Sequence, residues 1–360
     1  MLKKAVFTIL IYMVLSVYSF SQELPVYASL TKNFPSATVI PKWSGRIGIN
    51  LGKVNDTIDF LDIREQEVGS AYDNLGLGDY DHYGGYINLG ITDSSMLSGS
   101  YLKRYIKYGH GTLSVHSYEL FWRKSFKSIF SVDVGVRGNS MDPETLRNVD
   151  DINFYIKKYK PNAYIEIDNV RNIIWFVKEG EPKVGVYKTE DPYVKIYDSW
   201  DLTKFVRFTA GKAYYNFFPN MFIEYGKTDI YGKIDTNLKY FVPEGFQDIL
   251  PKLPVNLDRD EQYFKIGFNT FIRTPFNTLT YLEYFYITID RDNGLGFEHF
   301  NHVFRAEINY FASRHFVFFL GGVYLHRQFN GIIPFLYNKY TQTTFDHKYG
   351  WAEAGVIFIW

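Results

Sequence analysis

The 360-residue chain has no cysteine. Disulfides are therefore excluded, as is a lipid anchor on a cysteine, so no covalent staple supports the fold. A charge bias is also missing, because 39 Lys and Arg balance 39 Asp and Glu. Nucleic-acid binding needs a concentrated basic face, and this chain supplies none. Beyond residue 21 there is no long apolar run. The longest, "FVFFLGGVYL" at 316–325, falls well short of the roughly 20 residues that a transmembrane helix needs.

Aromatic side chains are plentiful instead, with 31 Tyr and 32 Phe. At the other end of the chain, "MLKKAVFTILIYMVLSVYSFSQE" sets Lys3 and Lys4 before an uncharged stretch from Ala5 to Ser21, with small residues at Ser19 and Ser21. A charged head, an apolar middle and a small-x-small site are the parts of a secretory signal peptide, expected here over residues 1–21. The loss of Lys3 and Lys4 would leave 37 basic against 39 acidic groups. Residues 22–42 contain Pro25, Pro35 and Pro41 and no sustained alternation. They are expected to form a periplasmic lead-in or a small plug.

From residue 43 onward the period is two. In "FSVDVGVRG" (130–138), Phe130, Val132, Val134 and Val136 oppose Ser131, Asp133, Gly135 and Arg137. "WSGRIGINL" (43–51), "FKIGFNTFI" (264–272) and "FRAEINY" (304–310) repeat the pattern. Alternation of this kind means β-strand. Segments of roughly ten residues or more exceed the usual strand of a soluble sandwich and suit a tilted membrane-spanning strand. The expected strands are 43–51, 83–92, 97–108, 111–123, 128–138, 163–178, 183–198, 203–216, 221–235, 260–273, 278–290, 299–312, 315–328 and 347–360.

That reading gives fourteen strands in an all-β, closed antiparallel transmembrane barrel over residues 43–360. The pair 163–178 and 183–198 alternates poorly, and Pro192 would break a ladder. Twelve strands with a surface insertion from 139 to about 202 is the alternative, and either number is even. The connections segregate. Ser313–Arg314, "TPFN" 274–277, "FFPN" 217–220, "EGEP" 179–182, "SFKSI" 125–129 and "DSSM" 93–96 are short, whereas 52–82, 139–162, 236–259 and 329–346 are long. Short periplasmic turns and long extracellular loops fit a transmembrane barrel.

The final segment "WAEAGVIFIW" places Trp360, Phe358, Val356, Ala354 and Ala352 on one face, with Glu353 and Gly355 on the other. It resembles the C-terminal strand of Gram-negative outer-membrane β-barrel proteins, most of which end on Phe. The resemblance implies that Phe358 and Trp360 form the signal read by the barrel assembly machinery during insertion. It also implies an outer-membrane location in contact with lipid and lipopolysaccharide. It names a class and no family.

The strand phase points a polar set inward: Arg46, Asn50, Asn88, Asp133, Arg137, Arg207, Lys265, Asn269, Arg305, Glu307, Asn309 and Glu353. These residues could tune the selectivity of a water-filled pore, or fill the lumen as a ladder of ion pairs. Basic members outnumber acidic ones five to three, a slight lean toward anions. The stretch 53–82 carries Asp56, Asp59, Asp62, Glu65, Glu67, Asp73, Asp79 and Asp81 against Lys53 and Arg64. It reads as a solvated loop, a pore constriction or, less directly, a calcium site, although "DNLGLGDYD" lacks the ordered ligand spacing.

Catalytic spacing is weak. His116 and Ser117 are adjacent and face opposite ways on a strand, while Ser114 shares the face of His116 without an evident acidic partner. His110 and Thr112 offer no usual nucleophile. His299 and His302 are split across a sheet by their spacing of three, and the adjacent Asp346 and His347 likewise face apart. No enzyme, cofactor or metal is expected. The reading is a channel or passive transporter for small solutes. A non-catalytic scaffold or accessory subunit of an envelope assembly is the alternative, and an outer-membrane hydrolase a more distant one. "YFVPEGFQDILPKLPVN" (240–256), apolar between prolines, is an expected partner surface among the loops.

Overall fold

The computed structural model describes residues 24–55, 58, 79–108, 111–249, 255–291, 299–338, 341, 345 and 347–360. The chain enters through a short helix, α1 (Leu24–Ser29), and an irregular stretch to residue 44. Five strands follow: β1 (Gly45–Val54), β2 (Tyr80–Thr92), β3 (Ser95–Tyr108), β4 (Gly111–Phe126) and β5 (Phe130–Met141). After these come β6 (Glu144–Leu146), helix α2 (Val149–Tyr159), β7 (Ala163–Asp168), β8 (Ile173–Lys178), β9 (Val184–Tyr187) and β10 (Val194–Ile196). Then β11 (Ser199–Gly211) and β12 (Phe217–Tyr231) precede two short strands, β13 (Lys233–Thr236) and β14 (Val255–Asn256). The last five are β15 (Arg259–Thr274), β16 (Thr278–Arg291), β17 (Phe300–Phe311), β18 (Phe316–Leu325) and β19 (Tyr349–Ile359).

Twelve of these strands close into one antiparallel barrel, in the order β1-β19-β18-β17-β16-β15-β12-β11-β5-β4-β3-β2. The smaller of the two strand counts is the one found. Segments 163–178 and 183–198 leave the wall, and β5 pairs directly with β11. Poor alternation in that pair means neither member could offer lipid one face and the lumen the other. "EGEP" 179–182 accordingly joins β8 to β9 outside the barrel, and "FFPN" 217–220 opens β12, the turn before it being 212–216.

Closure explains the last residue. The backbone of Trp360 exchanges two hydrogen bonds with Gly45, at 3.0 and 3.1 Å. A Cβ on Gly45 would lie 2.2 Å from the indole, so only glycine admits the ring at this seam. No strand edge is left in lipid. At the same end lie the tight turns. Lys127–Ser128 and Phe276–Asn277 have positive φ (53°, 54°, 63°, 55°), the left-handed backbone that turns the chain within loops of three residues, between Phe126 and Phe130 and between Thr274 and Thr278.

The alternation is realised in the wall. Ile47, Ile49, Leu51, Val134, Phe264, Phe268, Phe304 and Ile308 are exposed on the outside, while Arg46, Asp133, Lys265 and Glu307 are buried inside. The segments 142–198, 232–249 and 255–258 build an extracellular cap from two small sheets, β14-β13-β10-β6 and β7-β8-β9. The side chain of Asn148 caps α2 by accepting from the Asp150 amide at 2.8 Å, with Asp150 and Asp151 in the first turn. The Asn153 carboxamide pairs with both backbone groups of Ile165, at 2.7 and 2.8 Å, and ties α2 to the β7 edge. Asp248 takes Lys160 at 2.8 Å and Lys178 at 3.5 Å, and the hydrogen bond from Lys160 holds its carboxyl below the usual range. Within 240–256, Phe241, Phe246, Ile249 and Val255 are buried in the cap and Tyr240 is exposed, while 250–254 lie outside the described residues.

Candidate functional site in the lumen

Inward alternation on twelve strands delivers a dense polar lumen. At its waist, Glu224 on β12 receives Arg207 Nε at 2.6 Å, Arg137 Nη2 at 2.7 Å, Lys265 Nζ at 2.8 Å and Tyr263 Oη at 2.7 Å. Arg207 Nη1 reaches Asp133 at 3.0 Å, and Arg123 grips the same carboxylate with two nitrogens at 2.7 and 2.9 Å. Arg137 Nε continues to Glu119 at 3.3 Å. The chain of charges thus runs across β4, β5, β11, β12 and β15. Buried charges of this kind persist only when each has a partner.

Below the waist the N-terminal segment 24–42 lies against the inner wall and forms a floor. Lys32 bridges Glu353 at 2.6 Å and Glu307 at 2.9 Å. Arg46 donates to the carbonyls of Ser29 and Lys32 and to the Asn33 side chain. Wall side chains then satisfy the floor backbone in turn. Arg123 reaches the Phe34 carbonyl, Asn269 that of Pro35 at 2.9 Å, Ser131 that of Ser36 at 2.8 Å and Ser125 that of Ala37 at 2.6 Å, while Asn220 accepts from the Ala37 amide at 3.1 Å. A chain without secondary structure has to find these partners or leave buried amides unpaired.

Above the waist the segment 326–338 folds into the mouth as a roof. Phe329, Ile333, Phe335, Leu336 and Tyr337 are buried against Tyr80, Leu325, Tyr349 and Trp351. Arg259 Nη2 donates to the carbonyls of Pro334 and Tyr337 at 2.9 Å. Asn139 reaches the Ile332 carbonyl at 3.3 Å. Between floor and roof remains a chamber of about 250 Å³, with Lys32 and Phe34 beneath, Gly331 and Ile332 above, and Asn50, His82, Arg104, Glu119, Arg137 and Arg305 around it.

All eight charged residues singled out from the sequence face this lumen. Arg46, Glu307 and Glu353 hold the floor, and Asp133, Arg137, Arg207 and Lys265 belong to the waist. Arg305 stands 3.4 Å from Glu283. Phe358 and Trp360 point outward, their rings stacked at 6.1 Å. Sequence reasoning missed Lys32, Arg104, Arg123, Arg259 and Arg291, and with them Glu119, Asp201, Glu224, Glu261 and Glu283. The basic lean of five to three thereby shrinks to ten against eight. The stretch 53–82 is described only at 53–55, 58 and 79–82; most of its acidic residues, like His110 and Asp346, lie outside the described residues.

On the outer wall the structure adds an acidic neighbour that the sequence did not reveal. Asp142 Oδ2 lies 3.4 Å from His116 Nε2, and Tyr101 Oη lies 2.7 Å from His116 Nδ1. Both ring nitrogens are occupied, and Ser114 Oγ, on the same face, bonds to neither. No nucleophile–base hydrogen bond is formed there. His302 faces outward, bonded to Tyr284 Oη at 2.8 Å, whereas His299 Nδ1 is 3.2 Å from the Ile289 carbonyl oxygen. Among the described residues no three His, Asp or Glu side chains converge on a metal-sized site.

A closed antiparallel barrel, apolar outside and polar within, with tight turns at one end and long loops at the other, defines an outer-membrane β-barrel of a Gram-negative bacterium. No family model matches the chain, and no curated protein matches it. Among solved structures it is similar to the translocator domain of autotransporter NalP from Neisseria meningitidis, at 6% identity and TM-score 0.48 over 96% of this chain and 97% of that one. It is also similar to LpxR from Salmonella typhimurium (10%, 0.38, 88% and 99%) and to the toluene transporter TodX from Pseudomonas putida (7%, 0.39, 95% and 92%). Function is a property of sites and not of barrels, so none is taken from these neighbours.

Proposed function

We propose that this protein is a non-conducting barrel that anchors its extracellular cap in the outer membrane and presents it to a partner. One observation carries the reading: the chain's own residues fill the lumen at both ends, with 24–42 below and 326–338 above. The roof side chains belong to the same apolar cluster as cap residues such as Ile152, Ile165 and Phe176. Wall, roof and cap are therefore packed as one body, which suits a platform better than a conduit. The test is conductance of the purified, folded protein in a planar bilayer. The expected result is a silent membrane; a steady ohmic current would overturn the reading.

A gated channel for small solutes is the second reading, favoured by the polar chamber of about 250 Å³ between floor and roof. Lys32→Met distinguishes the two, because it removes the cation that holds the floor. Stepwise openings absent from the unaltered protein would support gating. Continued silence from the folded variant would support the platform.

A further inference from the structure

The chamber between floor and roof has an unbalanced lining: Lys32, Arg104, Arg137 and Arg305 face it against Glu119 and Glu353. Three of these cations have carboxylates of their own. Lys32 takes Glu353 at 2.6 Å and Glu307 at 2.9 Å, Arg137 takes Glu224 at 2.7 Å and Glu119 at 3.3 Å, and Arg305 stands 3.4 Å from Glu283. The fourth, Arg104 on β3, has no carboxylate within ion-pair distance among the described residues, and its Nη1 is buried without a hydrogen-bond partner. It approaches the Tyr80 hydroxyl and lies across the ladder from His82. The Tyr80 ring is 5.1 Å from that of Trp351, whose indole Nε1 is also buried without a partner.

We propose that the chamber binds a small carboxylate with an apolar body, its charge held by the Arg104 guanidinium with the Trp351 indole N–H as a second donor. A buried cation is costly until an anion meets it, and a guanidinium matches a carboxylate with two parallel hydrogen bonds. The two acidic groups of the lining are engaged by Lys32 and Arg137, so the surroundings of Arg104 keep their positive excess. Val323, Leu325 and Ile332 line the same space and seat the apolar body, for which a bare phosphate has no use. At about 250 Å³ the chamber lies below the roughly 300–1,000 Å³ of drug-sized pockets, which limits the body to about one ring. Such a ligand suits a platform and a gated channel alike, because binding and current are read separately.

The test uses the full chain in lipid nanodiscs, with para-fluorobenzoate as the probe and fluorine NMR as the readout. Overnight equilibration allows for slow entry past floor and roof, and empty nanodiscs give the lipid background. Saturable binding is expected, with the neutral para-fluorobenzamide at least about ten-fold weaker. Arg104→Gln should weaken the acid by a similar factor. Trp351→Phe, which keeps a ring and loses the N–H, should weaken it several-fold. Lys103→Gln, on the opposite face of the same strand, should leave it unchanged. Unaltered heat-modifiable migration would show that the variants are folded; should Arg104→Gln not fold, the acid–amide comparison and Trp351→Phe still decide. No binding above background, equal affinity for acid and amide, or full affinity in the folded Arg104→Gln or Trp351→Phe variant would each overturn the proposal. Displacement of the probe by inorganic phosphate as readily as by benzoate would do so as well, by assigning the site to any oxyanion.

Discussion

Floor and roof stop the same lumen by opposite means. The floor has almost no regular structure and is held by a lysine between two carboxylates, two arginines on backbone carbonyls and a series of wall hydroxyls and amides. Its apolar anchors are scattered: Phe34 stacks on Tyr281 at 3.6 Å, while Ile40 sits in a separate cluster with Met96, Phe121 and Phe205. The roof buries its aromatic and aliphatic side chains in one continuous cluster with the cap. Polar bonds are directional and net modest stability, but they cost heavily when one partner is removed. Apolar packing is non-directional and responds to lost volume. The floor is thus the part that a change of charge can release, and the roof, although Arg259 and Asn139 also hold its carbonyls, the part that a cavity loosens most.

The largest effect should come from Lys32→Met. It leaves Glu307 and Glu353 facing each other in the lumen, and loss of one member of a buried ion cluster costs roughly 3–5 kcal/mol. Limited proteolysis should then cut within 24–42 while the barrel still migrates as folded. Adding Glu307→Gln and Glu353→Gln should restore most of the protection, since a neutral set carries no unpaired charge. A floor equally protected in the single variant would remove the contrast drawn above. Next in size is Phe329→Ala. Phe329 is 1% exposed, with its ring 5.4 Å from Tyr349 and 5.7 Å from Tyr80. Truncation should cost about 3 kcal/mol. Hydrogen exchange should rise in 326–338 and in the cap, with no change in 24–42. A rise in both segments would mean that floor and roof are coupled through the waist.

How far the sequence foretold this arrangement depends on periodicity. Wall residues such as Arg46, Ile47 and Glu307 obey a two-residue rule imposed by lipid outside and water-like polarity within, so their facing was readable. The missed Glu224 sits in "MFIEYGKTDI" with the same phase, and pairing it with Arg207 and Lys265 across the neighbouring strands was the available signal. Lys32 offered none. Its partners lie 275 and 321 positions away in "FRAEINY" and "WAEAGVIFIW", and no period governs an irregular segment. The roof was read as loop for the same reason. The cap, where strands are two to six residues long, is too short in each element for alternation to declare itself.

The smallest test isolates one bond of the floor. Ser131 Oγ donates to the Ser36 carbonyl at 2.8 Å, and Ser131 is fully buried on β5. Ser131→Ala removes the hydroxyl and little volume, so packing is nearly constant and the carbonyl is left without its donor. A buried acceptor stripped of its partner costs about 1–3 kcal/mol. Because Ser36 lies between two further anchored carbonyls, those of Pro35 and Ala37, the segment should not detach. The expected outcome is faster hydrogen exchange and slightly faster cleavage confined to about 33–38, with the Lys32 contact intact. Release of the whole segment, as in Lys32→Met, would show that the floor is a single cooperative unit rather than a row of separate bonds.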